Sequence, residues 1–143
     1  MANRHAPWVE ARVTSTANTD ITAAGEVAIT GATVTITAKL ATRFHVTAVF
    51  RLSCIAFTAV TGVVRGKLRV GGTALVPEVS WSANAVDEQC TITGCWTIDV
   101  AAGSTTTVDL ALDLGGTNDN DYRSVGNHTG LVLLGMPSEG ISY

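Results

Sequence analysis

Residues 43–70, RFHVTAVFRLSCIAFTAVTGVVRGKLRV, constrain this chain more than any other stretch. Phe44, Val46, Ala48, Phe50, Leu52 and Cys54 recur at every second place, and His45, Thr47, Arg51 and Ser53 alternate with them; only Val49 breaks the polar set. A period of two divides residues between the opposite faces of a strand, whereas a helix would gather Phe44, Thr47 and Ala48 into no coherent apolar stripe. After Thr61 and Gly62 the alternation resumes, with Val64, Gly66, Leu68 and Val70 facing one way and Arg65, Lys67 and Arg69 the other. Gly62 can take the positive φ that hairpin turns often need, and Gly71 with Gly72 offers a second such turn. The stretch therefore reads as two long strands joined by a tight turn. A one-residue slip would bury three cations together, which fixes the register.

The same period recurs along the chain. Residues 26–30 and 32–40 form a pair with a bend or bulge at Gly31, and Val34, Ile36, Ala38 and Leu40 point inward. A short strand at 73–76 is closed by Pro77, which cannot donate to a ladder. Trp81 then leads into a polar loop at 82–88. The segment 89–100 is a long strand with a bulge expected at Thr93 and Gly94. After the turn at 101–104, Val108, Leu110, Leu112 and Leu114 alternate with Asp109, Ala111 and Asp113. A polar loop at 115–130 precedes LVLLGM, a continuous apolar run of the kind expected of a strand buried on both faces. No helical period and no internal repeat is visible. Roughly eight or nine strands of this kind predict an all-β antiparallel sandwich or barrel.

Residues 1–20 lack sustained alternation and read as an extended N-terminal arm ahead of one domain at 21–143. Such a segment is either a frayed terminus or an arm that docks on a neighbouring subunit through Trp8 and Val9.

Composition bears on partners. Charged residues make up 15% of the 143 positions, against about 25% in typical soluble domains, so much of the surface is expected to be covered. A net charge of −3 gives no electrostatic case for nucleic acid. No run approaches a membrane span and the N-terminus lacks a signal-peptide core. Three cysteines without framework spacing suit thiols packed in a protein made in a reducing cytoplasm.

Catalytic and metal constellations do not emerge. Cys90 and Cys95 fall on opposite faces of a regular strand, which prevents them from chelating one ion. His5, His45 and His128 form no pair at ligand spacing, and no serine or threonine has an evident base beside it. The run at 118–121 holds oxygen donors but lacks the glycine and the distal glutamate of a helix–loop–helix calcium site, and solvated turn chemistry explains it. The reading is of a non-enzyme without metal or cofactor. Arg65, Lys67 and Arg69, with Arg51 across the expected hairpin, form a basic face that is either ordinary solvated sheet or a contact for an acidic protein surface. Trp81 and Tyr122 are candidate stacking faces for a carbohydrate, with core packing the alternative for Trp81.

The order of these features has a parallel. A variable arm, the strands RFHVTAVFRLSC and VRGKLRVGGTAL, the segment WTIDVAAGSTTTVDLALDL with an Ala-Gly turn between paired strands, and the closing LVLLGM together resemble the jelly-roll domains of small tailed-bacteriophage structural proteins. Those domains share the fold of tumour-necrosis-factor-like trimers. The resemblance spans residues 21–136 and rests on patterns rather than invariant residues. It implies a jelly roll that assembles as a homotrimer and decorates the capsid surface of a virion as a cement protein bound to the major capsid protein. Trp8, Val9, Arg65, Lys67 and Arg69 would then be contacts. A tail or tail-tip component recognising a receptor or carbohydrate is the alternative.

Overall fold

A computed structural model describes residues 9–115 and 120–137 of the chain. Among them lie eleven strands and no helix: β1 (Val9–Thr14), β2 (Thr19–Ile21), β3 (Gly25–Thr37), β4 (Thr42–Ala56), β5 (Val64–Val70), β6 (Thr73–Ala74), β7 (Val79–Trp81), β8 (Gln89–Val100), β9 (Thr105–Leu114), β10 (Asp121–Ser124) and β11 (Gly130–Pro137). They form two antiparallel sheets. The first, sheet A, runs β1-β11-β4-β10-β2 with β8 on the other side of β4; the second, sheet B, runs β3-β9-β5-β6 with β7 also on β5. The expected all-β sandwich is present, with more strands than the eight or nine anticipated, because β2 and β10 carry too few residues to show a period and β1 lies in the stretch read as an arm.

Inner faces follow the alternation closely. Phe44, Val46, Ala48, Phe50, Leu52 and Cys54 of β4 are all buried, and Val64 and Leu68 of β5 meet Val108, Leu110, Leu112 and Leu114 of β9 in the same core. Burial of this apolar surface drives the two sheets together.

Pairing departs from expectation. The stretch 43–70 holds two strands but no hairpin: β4 pairs with β8, β10 and β11, whereas β5 pairs with β6, β7 and β9. Residues 57–63 carry the chain across the core, so the two apolar faces meet face to face. The Phe50 ring of β4 lies against Gly66 of β5, where a Cβ would stand 2.9 Å from the ring's Cζ. The left-handed glycines sit one turn later, at Gly71 (φ 57°) and Gly72 (φ 82°), in the tight turn between β5 and β6. Likewise β8 and β9 are not partners, since the turn at 101–104 also passes from sheet A to sheet B. A short apolar strand end followed by a glycine turn looks the same in sequence whether the next strand pairs beside it or packs opposite it.

Gly31 (φ 79°) does mark a bulge, with the β3–β9 register shifting between Ala28 and Thr33. Gly94 does not: β8 stays in register with β4 throughout. Its missing side chain instead admits the Trp96 ring, since a Cβ there would lie 2.2 Å from the indole. Leu40, expected inside, is half exposed beyond the end of β3. Leu134 and Met136 of β11 are 40% and 41% exposed, so the closing strand is buried on one face only.

Residues 9–14 and 19–20 of the expected arm are built into sheet A. β1 pairs along β11 from Val9↔Gly135 to Thr14↔Gly130, and Asp20 lies inside β2 opposite Arg123. The anticipated boundary after residue 20 therefore falls within a strand.

Candidate interaction faces

The outer face of sheet B holds Arg65, Lys67 and Arg69, outward as the alternation predicts. They do not form a basic surface. The Lys67 ammonium is 2.7 Å from Asp113, 3.2 Å from Glu78 and 3.3 Å from Glu26. Arg69 pairs with Glu26 at 2.9 Å and with Asp109 through a two-pronged contact. Arg65 reaches Glu78 at 3.5 Å and Asp113 at 3.8 Å. Three cations thus face four carboxylates, and the lattice carries one formal negative charge in excess. The carboxylates hold Lys67 well above the ordinary lysine range, Asp113 contributing most, against the opposing effect of burial. β9 supplies Asp109 and Asp113 directly across from Arg69 and Arg65. Alongside, Thr35 and Thr37 of β3 hydrogen-bond Thr107 and Thr105 at 3.2 and 2.8 Å.

Sheet A presents a different outer face. Leu134 lies between His45 and Glu10, and Val132 between Thr47 and Arg12. Thr91, Thr93, Cys95 and Thr97 of β8 extend the neutral surface. Apart from Arg51, its arginines are bound in isolated pairs. Arg43 grips Asp99 at 2.8 and 3.0 Å, and Arg123 grips Asp20 at 2.6 and 2.8 Å. The Arg123 guanidinium holds the Asp20 carboxyl below the usual range, and Arg43 does the same to Asp99.

Arg51 belongs to this face, not to the one carrying Arg65, because β4 and β5 lie in opposite sheets. It occupies the position where β4 changes neighbours. β10 pairs with residues 52–56 and β11 with residues 42–49, and the connecting turn is clamped to Arg51 itself. Val125 N–H donates to the Arg51 carbonyl at 2.8 Å, and Arg51 N–H donates to Thr129 Oγ1 at 3.0 Å. An open depression of about 400 Å³ results, lined by Arg51, Gln89, Thr91, Val125 and His128.

Tyr122 is not a stacking face. It is fully buried, donates its hydroxyl to Gly62 O at 2.7 Å and accepts Ala83 N–H at 3.3 Å. Half-buried Trp81 meets it edge-on, with centroids 5.5 Å apart. The pair ties the 57–63 crossing to the 82–84 loop. Asn120 joins the same lock, its Oδ1 accepting the amides of Thr58 and Ala59 and its Nδ2 donating to Ala59 O. The Asn120 amide oxygen thus accepts two backbone N–H groups. Nothing in the tyrosine's sequence neighbourhood signals this, because its hydroxyl is read by a main-chain carbonyl.

Among the described residues no group of three metal-ligating side chains occurs, and no helix is long and apolar enough to cross a membrane. Cys54 is buried and Cys90 half-buried, and burial pushes both thiols up, with the Arg51 guanidinium pulling Cys90 back. Cys95, expected inside, is exposed on the opposite face of β8. His45 and His128 are exposed and apart. Val9 opens β1, while Trp8, His5, Asn118 and Asp119 lie outside the described residues.

No protein-family model matches the chain, and no curated protein sequence matches it. Solved structures do. A tumour-necrosis-factor protein, Eiger from S. frugiperda, superposes with a TM-score of 0.54 at 11% identity, covering 96% of this chain and 98% of its own. The C-terminal domain of EclA, a sugar-binding protein, gives 0.44 at 17% identity, over 92% and 81%. The infectious bursal disease virus Gx strain gives 0.39 at 13% identity, over 94% of this chain and 38% of that one. The first likeness identifies the fold as a tumour-necrosis-factor-like jelly roll, and the fold alone.

Proposed function

We propose that the chain is a structural virion component, a homotrimeric decoration (cement) protein that binds the major capsid protein on the outer shell of a tailed phage, without a catalytic step or a cofactor. The observation that carries this reading is the asymmetry of the two outer faces. Sheet B satisfies its own charges and needs no partner. Sheet A offers Leu134 and Met136 within a broad, largely neutral surface of Thr, Val and, Arg51 apart, paired arginines, the character of a subunit contact. Closure about a three-fold axis would cover that surface and the sheet edges together. The shell as partner rests on the resemblance of the strand order to decoration domains. Residues 1–8, with Trp8, join the edge strand β1 and are the segment available as a clamp. On this reading the protein is made in the host cytoplasm and resides on the capsid surface.

The test is to mix purified protein with undecorated capsids, measure the co-sedimented fraction and determine the solution mass alongside. Saturable, stoichiometric binding of a trimer is expected. A trimer that ignores shells would overturn the capsid role and favour a tail or tail-tip component that binds a receptor or carbohydrate. That alternative loses Tyr122 as a stacking face, so it would need glycan binding abolished by Trp81→Ala.

A further inference from the structure

Six arginines lie among the described residues, and five of them face a carboxylate: Arg12, Arg43, Arg65, Arg69 and Arg123. Arg51 is the exception. Its Nη1 donates to Thr91 Oγ1 at 2.9 Å and its Nη2 to Gln89 Oε1 at 2.7 Å, both neutral acceptors. The consequence is chemical as well as electrostatic. A guanidinium has five N–H donors and no acceptor, so two are used and three remain. Because Arg51 can only donate, its contacts use acceptor atoms of Gln89 and Thr91 and spend neither the amide NH2 nor the hydroxyl proton. With His128 also lining it and Val125 the one apolar member, the depression gathers hydrogen-bond donors around one fixed positive charge. Its complement is an anion that only accepts, and a planar carboxylate matches the fork.

We propose that this depression is a receptor for one carboxylate, carried by an aspartate or glutamate of a contacting protein. Two features select a protein side chain. The site is an open hollow between a flat sheet and one turn, whereas small-molecule sites bury about 70–90% of their ligand. It is also continuous with the sheet A face that the proposed function assigns to protein contacts, and the inference rests on that reading. The Arg51 main chain is held at both its N–H and its carbonyl, so the charge is positioned before the partner arrives.

The experiment titrates a short peptide with a single glutamate between neutral residues, at constant ionic strength, and follows the Arg51 side-chain N–H resonance and the Thr91 and His128 amides. A saturable shift is expected with the glutamate peptide and none with its glutamine counterpart. Arg51→Met should weaken binding at least about tenfold; Arg51→Lys should bind between the two, having charge without the fork. Should Arg51→Met fail to fold, Thr91→Val, which keeps the charge and removes one donor, must still weaken binding measurably. Equal shifts from the glutamine peptide or from chloride, or equal responses at Arg43 and Arg123, overturn the site. Tighter binding of glucuronate than of the peptide overturns the protein source. No shells are used, so intact peptide binding with failed co-sedimentation sinks the capsid reading alone. Failed peptide binding with normal co-sedimentation sinks this site alone.

Discussion

The two outer faces of this sandwich are built from the same strand chemistry and end in opposite states. On sheet B, alternation delivers three cations from β5 to a surface where β3, β9 and Glu78 deliver four carboxylates. On sheet A, alternation delivers threonines, valines, Leu134 and Met136, with every arginine but Arg51 tied off in a separate pair. A charged face is therefore no guide to a charged partner. What decides is the composition of the neighbouring strand, and here the more charged face is the self-sufficient one.

The comparison can be broken most directly at Lys67, whose side chain is only 12% exposed. Lys67→Ala would leave Glu26, Glu78 and Asp113 to Arg65 and Arg69 alone, and should cost about 2 kcal/mol in urea unfolding, below the range for breaking a fully buried pair because the carboxylates are partly exposed. Arg43→Gln on sheet A should leave the unfolding midpoint unchanged, because that pair is exposed. Equal losses would erase the distinction.

Both faces hang on one core, and Gly66→Ala tests the joint between them. The new methyl meets the Phe50 ring, and a loss of about 2 kcal/mol is expected. Phe50→Leu in the same chain should recover part of it, the coupling expected of two residues in contact.

Smaller in stability but decisive for assembly is Leu134→Asp. The single chain should lose less than about 1 kcal/mol, as exposed substitutions do. If the proposed trimer forms through sheet A, its solution mass should nonetheless fall to that of a monomer, whereas Thr107→Asp on sheet B should leave the mass unchanged. The converse result would move the contact to sheet B.

The smallest effect is acid titration on sheet A. Asp20 is depressed by Arg123 in the folded state, so its contribution is present above the unfolded carboxylate range near pH 4 and is lost as pH falls through the lower folded value. Carboxyl NMR should place Asp20 below its ordinary pKa, and Arg123→Gln should raise it toward that value.

Which side of each long strand faces inward was legible in residues 43–56 and 106–114, because the period is a property of one strand. Which strand lies beside it was not, because pairing depends on where residues 57–63 and 101–104 take the chain. The site followed the same division. Arg65, Lys67 and Arg69 were readable as outward, and Asp109 and Asp113 shared their parity, yet only the β5–β9 register joins the two sets. In sequence Arg51 is one more member of the basic set, and only the assignment of β4 to sheet A separates it.

The partner switch along β4 also bears on the order in which the fold can be completed. One flank of β4 is covered by β8, and the other by β10 and then β11, the last strand described. β1 pairs with β11 alone. The earliest and longest strands of sheet A thus wait for one of the latest, and a chain emerging from the ribosome holds β1 and much of β4 without their neighbour until residues 130–137 arrive. Such distant pairings slow folding and prolong the interval in which a bare strand can meet another copy. Truncation before residue 130 should therefore abolish soluble protein rather than yield a smaller sandwich.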